Sequence, residues 1–307
     1  MAEITAALVK QLRERSGAGM MDCKKALGET GGDMESAVDW LRKKGLAAAA
    51  KKSGRVTSEG LVAVALDGTR GAVVEVNSET DFVARNDQFK DLVTSIAGVA
   101  IEARGDLEKL SAQVLPSTGK SVADSIADAV GVIGENIQLR RTDYLEVDQG
   151  AVAGYVHAQQ APGLGKIGVL VALQSAGDAE KIADLGRQIA MHVAATSPQS
   201  VNVDGLDPAV VERERNVLAE QARASGKPEN IIDKMVEGRL RKFYEESVLL
   251  EQIYVIDTDK RVKEAVADAA RSIGGNVEIK GFVRMALGEG VEKKEDDLAA
   301  EVAKLTS

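Results

Sequence analysis

Three sets of residues in this 307-residue chain have types and spacings that could do chemistry. Gly163-Leu164-Gly165-Lys166-Ile167-Gly168 matches the dinucleotide-binding glycine pattern letter for letter. That pattern works only where its glycines lead from a strand into a helix whose N-terminus receives pyrophosphate. Here Val169 to Leu173 continue as a strand, so a glycine-rich hairpin turn is expected instead. Thr118-Gly119-Lys120-Ser121 resembles the end of a phosphate-binding loop, but Val114 stands where the opening glycine belongs and no strand leads in. Ser117 to Ser121 read better as the cap of a helix carrying Val122 and Ile126. The third set is Cys23, His157 and His192. One cysteine excludes a disulfide scaffold, and with two histidines it leaves too few ligands for a zinc site. His192 is expected mid-helix in a structural role. His157 ends a strand before a loop, where structure and partner contact both stay open. No catalytic constellation emerges, so no enzyme, bound nucleotide, metal or cofactor is expected.

A different kind of oddity lies in Asn77-Ser78-Glu79-Thr80-Asp81-Phe82-Val83-Ala84-Arg85-Asn86-Asp87. One of only four phenylalanines sits inside a polar connector between a strand and a helix. Phe82 either folds back as a staple on the following helix or stands out as an aromatic wedge for a partner's pocket. Likewise Gly17-Ala18-Gly19-Met20-Met21-Asp22 sets two thioethers in a turn, as plain packing or as an adaptable contact patch.

Composition narrows the classes. The chain is 44% hydrophobic and 28% charged, with a net charge of −9, which suits a globular protein of two or three domains. Residues 1–55 carry 11 Lys/Arg against 7 Asp/Glu, leaving 28 against 41 for the rest. A small basic head on an acidic body lacks the dense basic face that nucleic acid requires, and 3% aromatics supply no base-stacking platform. Protein docking through complementary patches fits better. The first twenty residues hold no signal-peptide core, and no apolar run approaches the ~20 residues of a membrane span. The cytoplasm is the expected address.

The elements that must position these residues follow from periodicity. The head reads as three short helices: Ile4, Leu8 and Leu12 on the first, Asp22 capping a second through Leu27, and Asp33 capping a third that carries Ala37, Val38 and Leu41 into Lys51-Lys52. A hairpin-then-helix unit then occurs twice. Leu61–Leu66 and Ala72–Val76 precede a helix that starts after Asn86-Asp87; Ala151–His157 and Ile167–Leu173 precede a helix with Ile182, Leu185, Ile189 and Val193. Asp207-Pro208 opens a helical hairpin broken at Ser225-Gly226-Lys227-Pro228. Its charged outer faces (Glu212 to Arg215; Arg239, Arg241, Lys242) favour projection into solvent. The tail is expected to run strand (Val255-Ile256), helix (Val262–Ile273), strand (Val277–Leu287), and a last amphipathic helix, Asp297 to Leu305. The class is α+β.

Two long segments carry a family resemblance. Leu12-Arg13-Glu14-Arg15-Ser16-Gly17-Ala18-Gly19-Met20-Met21-Asp22-Cys23-Lys24-Lys25-Ala26-Leu27 resembles the N-terminal signature of bacterial elongation factor Ts, and Glu75 to Arg85 its second signature. Lys234-Met235-Val236-Glu237-Gly238-Arg239 and Gly281-Phe282-Val283-Arg284, followed by Gly288-Glu289-Gly290, are similar to the same family. The resemblance implies a ubiquitin-associated-like three-helix domain (1–54) and core subdomains at 55–148 and 149–280. It also implies a coiled-coil hairpin inserted at 207–250 and a C-terminal module (281–307). Gln159 to Lys166 looks like a small insertion in the second hairpin. The implied activity is guanine nucleotide exchange on elongation factor Tu, without covalent chemistry. Thr80, Asp81, Phe82 and Val83 would dislodge the partner's magnesium. Met20, Met21, Lys24 and His157 would bind the partner, and the hairpin is a candidate homodimer contact.

Overall fold

The computed structural model describes residues 4–224 and 228–291. The break expected at Ser225 to Lys227 and the helix expected at Asp297 to Leu305 lie outside the described residues. The head consists of α1 (Ala6–Ser16), α2 (Met20–Glu29) and α3 (Met34–Lys52). Thr5 caps α1 by accepting from the Leu8 N–H, and Asp33 caps α3 by accepting from the Ser36 N–H at 2.8 Å. Gly17 ends α1 in the left-handed conformation, φ 68°, which a glycine adopts without strain. The expectation for Asp22 is corrected: Gly19 is the N-cap of α2, and Asp22 lies in the first turn, where it pairs with Lys44. Leu12, Cys23, Ala26, Leu27 and Ala37 give the head a core of its own. The far half of α3 leaves that core and crosses α7 (Val122–Ile133). A Cβ on Gly131 would lie 2.8 Å from the Gly45 Cα, so the two glycines permit the crossing.

The body is a four-layer arrangement of helices, sheet, sheet and helices. β1 (Glu59–Asp67) and β2 (Arg70–Ser78) form the first hairpin. They are followed by α4 (Asp81–Arg85), α5 (Asp87–Ala103), α6 (Leu107–Ala112), α7 and β3 (Ile137–Glu146). The second unit consists of β4 (Gly150–His157), β5 (Leu164–Gly165), β6 (Ile167–Gln174) and α8 (Ala179–Thr196). The hairpin α9 (Pro208–Ala224) and α10 (Glu229–Ser247) comes next, then α11 (Val262–Ile273) and β7 (Glu278–Ala286). The antiparallel sheets have strand orders β3-β2-β1-β5 and β4-β6-β7. Leu61, Ala63, Val74 and Val76 face α5; Val62 and Val73 face the other sheet and meet Val152, Leu170 and Ala172. Val169, Val171 and Leu173 face α8. Both faces of the central strands are therefore buried, which is why they read as continuous apolar runs rather than alternating ones.

The glycine pattern at 163–168 serves this packing. A Cβ on Gly168 would sit 2.7 Å from Val62 Cγ1, and one on Gly165 2.6 Å from the His157 carbonyl. Leu164-Gly165 also pairs with Ala63 and Val62 of β1, so this segment stitches the second hairpin to the edge of the first sheet.

Two expectations change here, and one element is added to them. β3 is a full strand that the apolar pattern did not reveal. Val255-Ile256 form an exposed turn, not a strand; only Ile253 makes an isolated bridge, to Arg261. The boundary expected at 281 falls inside β7, which pairs along β6 from Glu278 to Ala286. The α9–α10 hairpin has its own apolar cluster, Leu218, Ala222, Ile232, Val236 and Leu240, with Arg213, Arg239 and Lys242 exposed. Among the described residues no helix is long and apolar enough to cross a membrane, and no group of His, Cys, Asp and Glu could hold a metal ion.

Candidate functional site

The connector between β2 and α5 is not a floppy loop. β2 enters it fully buried through Asn77 and Ser78. Thr80, extended at φ −125°, is the N-cap of α4, but its side chain caps nothing in that helix. Instead its hydroxyl donates to Glu135 Oε1 at 2.7 Å and its N–H to Glu135 Oε2 at 2.9 Å. In return the Glu79 carboxylate accepts from the Asn136 N–H at 2.6 Å, and also from Arg55. Asn136 donates its side-chain amide to the Arg55 carbonyl at 2.9 Å. None of these supporting residues, Glu135, Asn136 or Arg55, stands out in the sequence; their contacts span 24 to 81 positions.

The four residues of the implied wedge separate sharply. Val83 is 5% exposed and Ala84 is buried beside it, both within the core under α5. Phe82 is 75% exposed. Neighbouring residues on a helix point about 100° apart, so anchoring Val83 and Ala84 turns Phe82 outward. The staple reading of Phe82 is thereby overturned. Burying a phenylalanine is worth ~1.5–3 kcal/mol, and the isolated chain forgoes that stabilisation here. Seven positions on, Phe89 is fully buried, held at the start of α5 by Asn86, which accepts its N–H at 3.2 Å. Asp81 is half-buried in the first turn of α4, and its carboxylate pairs with Arg85 at 2.9 Å. A one-turn helix presenting an aromatic ring beside a carboxylate can fill an apolar pocket and perturb a nearby cation.

Behind the connector, Glu75 is fully buried on β2. It accepts from Arg140 (2.9 Å), Arg141 (2.5 Å), Asn77 (3.0 Å) and the Gly288 N–H (2.8 Å). Burial pushes its carboxyl up, but those donors outweigh it and hold the group below its ordinary value. The same arginines reach the Ala286 carbonyl and Glu289, tying the end of the described chain to the strand that leads into the connector.

On the head, Met20 (57% exposed), Met21 (76%) and Lys24 share the outer face of α2, while Cys23, Ala26 and Leu27 turn inward. The packing reading of the methionines does not hold. A Cβ on Gly17 would lie 3.7 Å from Gln88, and a cleft of about 320 Å³ runs from Ser16-Gly17 to Gln88, Asp91 and Leu92. The methionine turn therefore abuts the start of α5, just past the helix bearing Phe82.

His157 is exposed at the end of β4, with Nδ1 3.2 Å from the Tyr155 hydroxyl. His192 is fully buried: the Val255 N–H donates to Nδ1 at 3.2 Å, so Nε2 carries the proton and donates to Gln252 Oε1 at 2.8 Å. At the phosphate-loop look-alike, Lys120 pairs with Asp128, and Ser121 caps α7 by accepting from the Asp124 N–H.

Comparison with known proteins agrees with the family resemblance. The family model described as elongation factor TS matches residues 79–289, more than half of the chain. An elongation factor Ts from Parvibaculum lavamentivorans is 61% identical over 303 residues, covering 99% of this chain and 98% of the relative. Those of Rhizobium etli (59%) and Rhodospirillum rubrum (60%) match over the same shares of each chain. With one family matched across nearly the whole chain, the chain belongs to the elongation factor Ts family of translation elongation factors.

Proposed function

We propose that the protein is a guanine nucleotide exchange factor that binds elongation factor Tu carrying GDP, displaces its magnesium and promotes GDP release so that GTP can bind. The observation that carries this reading is Phe82, three-quarters exposed on a helix whose next two residues are locked in the core. Phe82 is the wedge. Asp81, beside it, perturbs the water network of the partner's magnesium, and Thr80 and Val83 hold the helix that presents both. Magnesium neutralises the nucleotide's diphosphate, so displacing it leaves that charge poorly compensated and weakens binding. The protein does no covalent chemistry and uses no cofactor of its own; it is not an enzyme.

Met20, Met21 and Lys24 grip the partner near the nucleotide, and His157 holds a second surface. The head acts as a ubiquitin-associated-like docking domain, and the coiled-coil hairpin offers a homodimer contact. Partner recognition is protein to protein in the cytoplasm, with no nucleic acid or membrane involved. Thermodynamic linkage sets the scale: whatever factor this protein removes from GDP affinity, GDP removes from the protein's affinity for its partner. Each tenfold costs ~1.4 kcal/mol, so an interface anchor of ~4 kcal/mol supplies up to about three orders of magnitude.

The test is stopped-flow release of fluorescent GDP from elongation factor Tu. Strong acceleration by the wild type, largely lost in a folded Phe82→Ala chain, is expected. No acceleration by the wild type would sink the exchange reading.

A further inference from the structure

A helix of five residues has no stability of its own, because nucleation costs more than one turn returns. The direction of α4, and with it Phe82, must therefore be imposed from outside. Val83 and Ala84 fix its inner side. Its entry is fixed by two adjacent dipeptides that grip each other: Glu135 takes the Thr80 N–H and hydroxyl on its two oxygens, and Glu79 takes the Asn136 N–H.

Among the described residues Glu135 pairs with no cation, so both oxygens of a half-buried carboxylate serve the two Thr80 donors. Hydrogen bonds to an ionised acceptor are roughly twice as strong as neutral ones. The grip extends to the head. Lys52, at the end of α3, donates to the Gly134 carbonyl at 2.5 Å, and Arg55 contacts both Glu79 and Asn136.

We propose that Glu135 is a positioning residue for exchange, its carboxylate fixing Thr80 so that α4 holds Phe82 at a set angle to the head's methionine face. This rests on the exchange reading above. Glu135 acts through Phe82 rather than by touching the partner's nucleotide site.

The experiment has two readouts on the full chain. Fluorophenylalanine labelling gives one 19F resonance for each of Phe82, Phe89, Phe243 and Phe282, with the first assigned by Phe82→Ala. In Glu135→Ala the Phe82 resonance should shift or narrow while the other three stay in place. In stopped-flow release, Glu135→Ala should slow GDP release at saturating protein at least tenfold. Added to Phe82→Ala, it should change the rate less than twofold. An unmoved Phe82 resonance, or a full multiplicative loss in the Phe82→Ala background, would overturn the proposal. Should Glu135→Ala lose all four native resonances, Thr80→Val, which removes only the hydroxyl bond, is read by the same criteria, and Thr80→Ser should restore the wild-type rate and resonance. If the wild type itself fails to accelerate release, the exchange reading falls, while the Phe82 resonance still decides whether Glu135 holds the helix.

Discussion

The two hairpin-then-helix units of the body differ most where the second strand hands over to its helix. In the second unit the handover is four residues long, Ser175 to Asp178. Ser175 accepts from the Gly177 N–H, Asp178 caps α8 through the Glu180 and Lys181 N–H groups, and a Cβ on Gly177 would lie 2.4 Å from Ile273. Ser175 is buried, and the segment carries no large apolar side chain to project. In the first unit the same handover runs from Glu79 to Asn86 and contains α4 and an exposed phenylalanine, and its Glu79-Thr80 end is interlocked with Glu135-Asn136. One scaffold used twice thus carries a closed connection in one copy and a rigid projecting one in the other. The chemistry of a fold lies in such grafted segments, not in the sheet that supports them.

Substitutions should separate the two kinds of position. The largest contrast is between two phenylalanines. Phe89→Ala, emptying a fully buried site, should cost about 4 kcal/mol of folding stability in denaturant titration. Phe82→Ala should leave stability within about 0.5 kcal/mol of wild type and reduce accelerated GDP release by up to about a thousandfold. Similar stability losses in the two variants would erase the distinction.

Next, Glu75→Ala should cost about 3 kcal/mol, because two arginines and a backbone N–H lose a buried carboxylate. Its pH signature has a definite sign. The folded carboxyl titrates below its ordinary 4.5, so its stabilisation is complete above that value and disappears as pH falls through the lower folded value. Acid unfolding curves should show that loss in the wild type and not in Glu75→Ala.

In the closed handover, Gly177→Ala should cost about 2 kcal/mol through overpacking against Ile273 while GDP release, corrected for the folded fraction, stays at wild type. A selective exchange defect there would mean that the two connections are not independent. The smallest effect concerns His192, which burial holds below its ordinary 6.5 against the raising influence of Gln252. The neutral ring is preferred in the folded chain, so its stability is full above pH 6.5 and declines as pH falls toward the lower folded value. Melting temperature should follow that slope in the wild type and lose it in His192→Gln.

Much of this was legible before any coordinates. Asp33, Asn86 and Ser121 announce helix starts because capping is local, within three residues. The strands around Leu61, Val73 and Leu170 announce themselves as apolar runs because both faces are buried. β3 is not legible for the converse reason: the run Arg140, Arg141, Thr142 and Asp143 is polar and mostly half-exposed on both faces, and the strand is held by its pairing with β2 rather than by an apolar pattern. Val255-Ile256 misled because two β-branched residues suit a strand, yet no neighbouring strand lies alongside them among the described residues.

By itself the sequence determined most of the element types, the repeated hairpin unit, the family resemblance and the unusual placing of Phe82 and Met20-Met21. These are properties of neighbours along the chain. Only the tertiary structure decided that Val83 points inward and Phe82 outward, that Glu135 is the partner of Thr80, and that the methionine turn lies beside the start of α5. Each of those depends on which surfaces meet after the sheets close, across separations of dozens of residues. At such distances along the chain, hydrogen-bonding capacity shows that a polar group needs a partner but does not say which one.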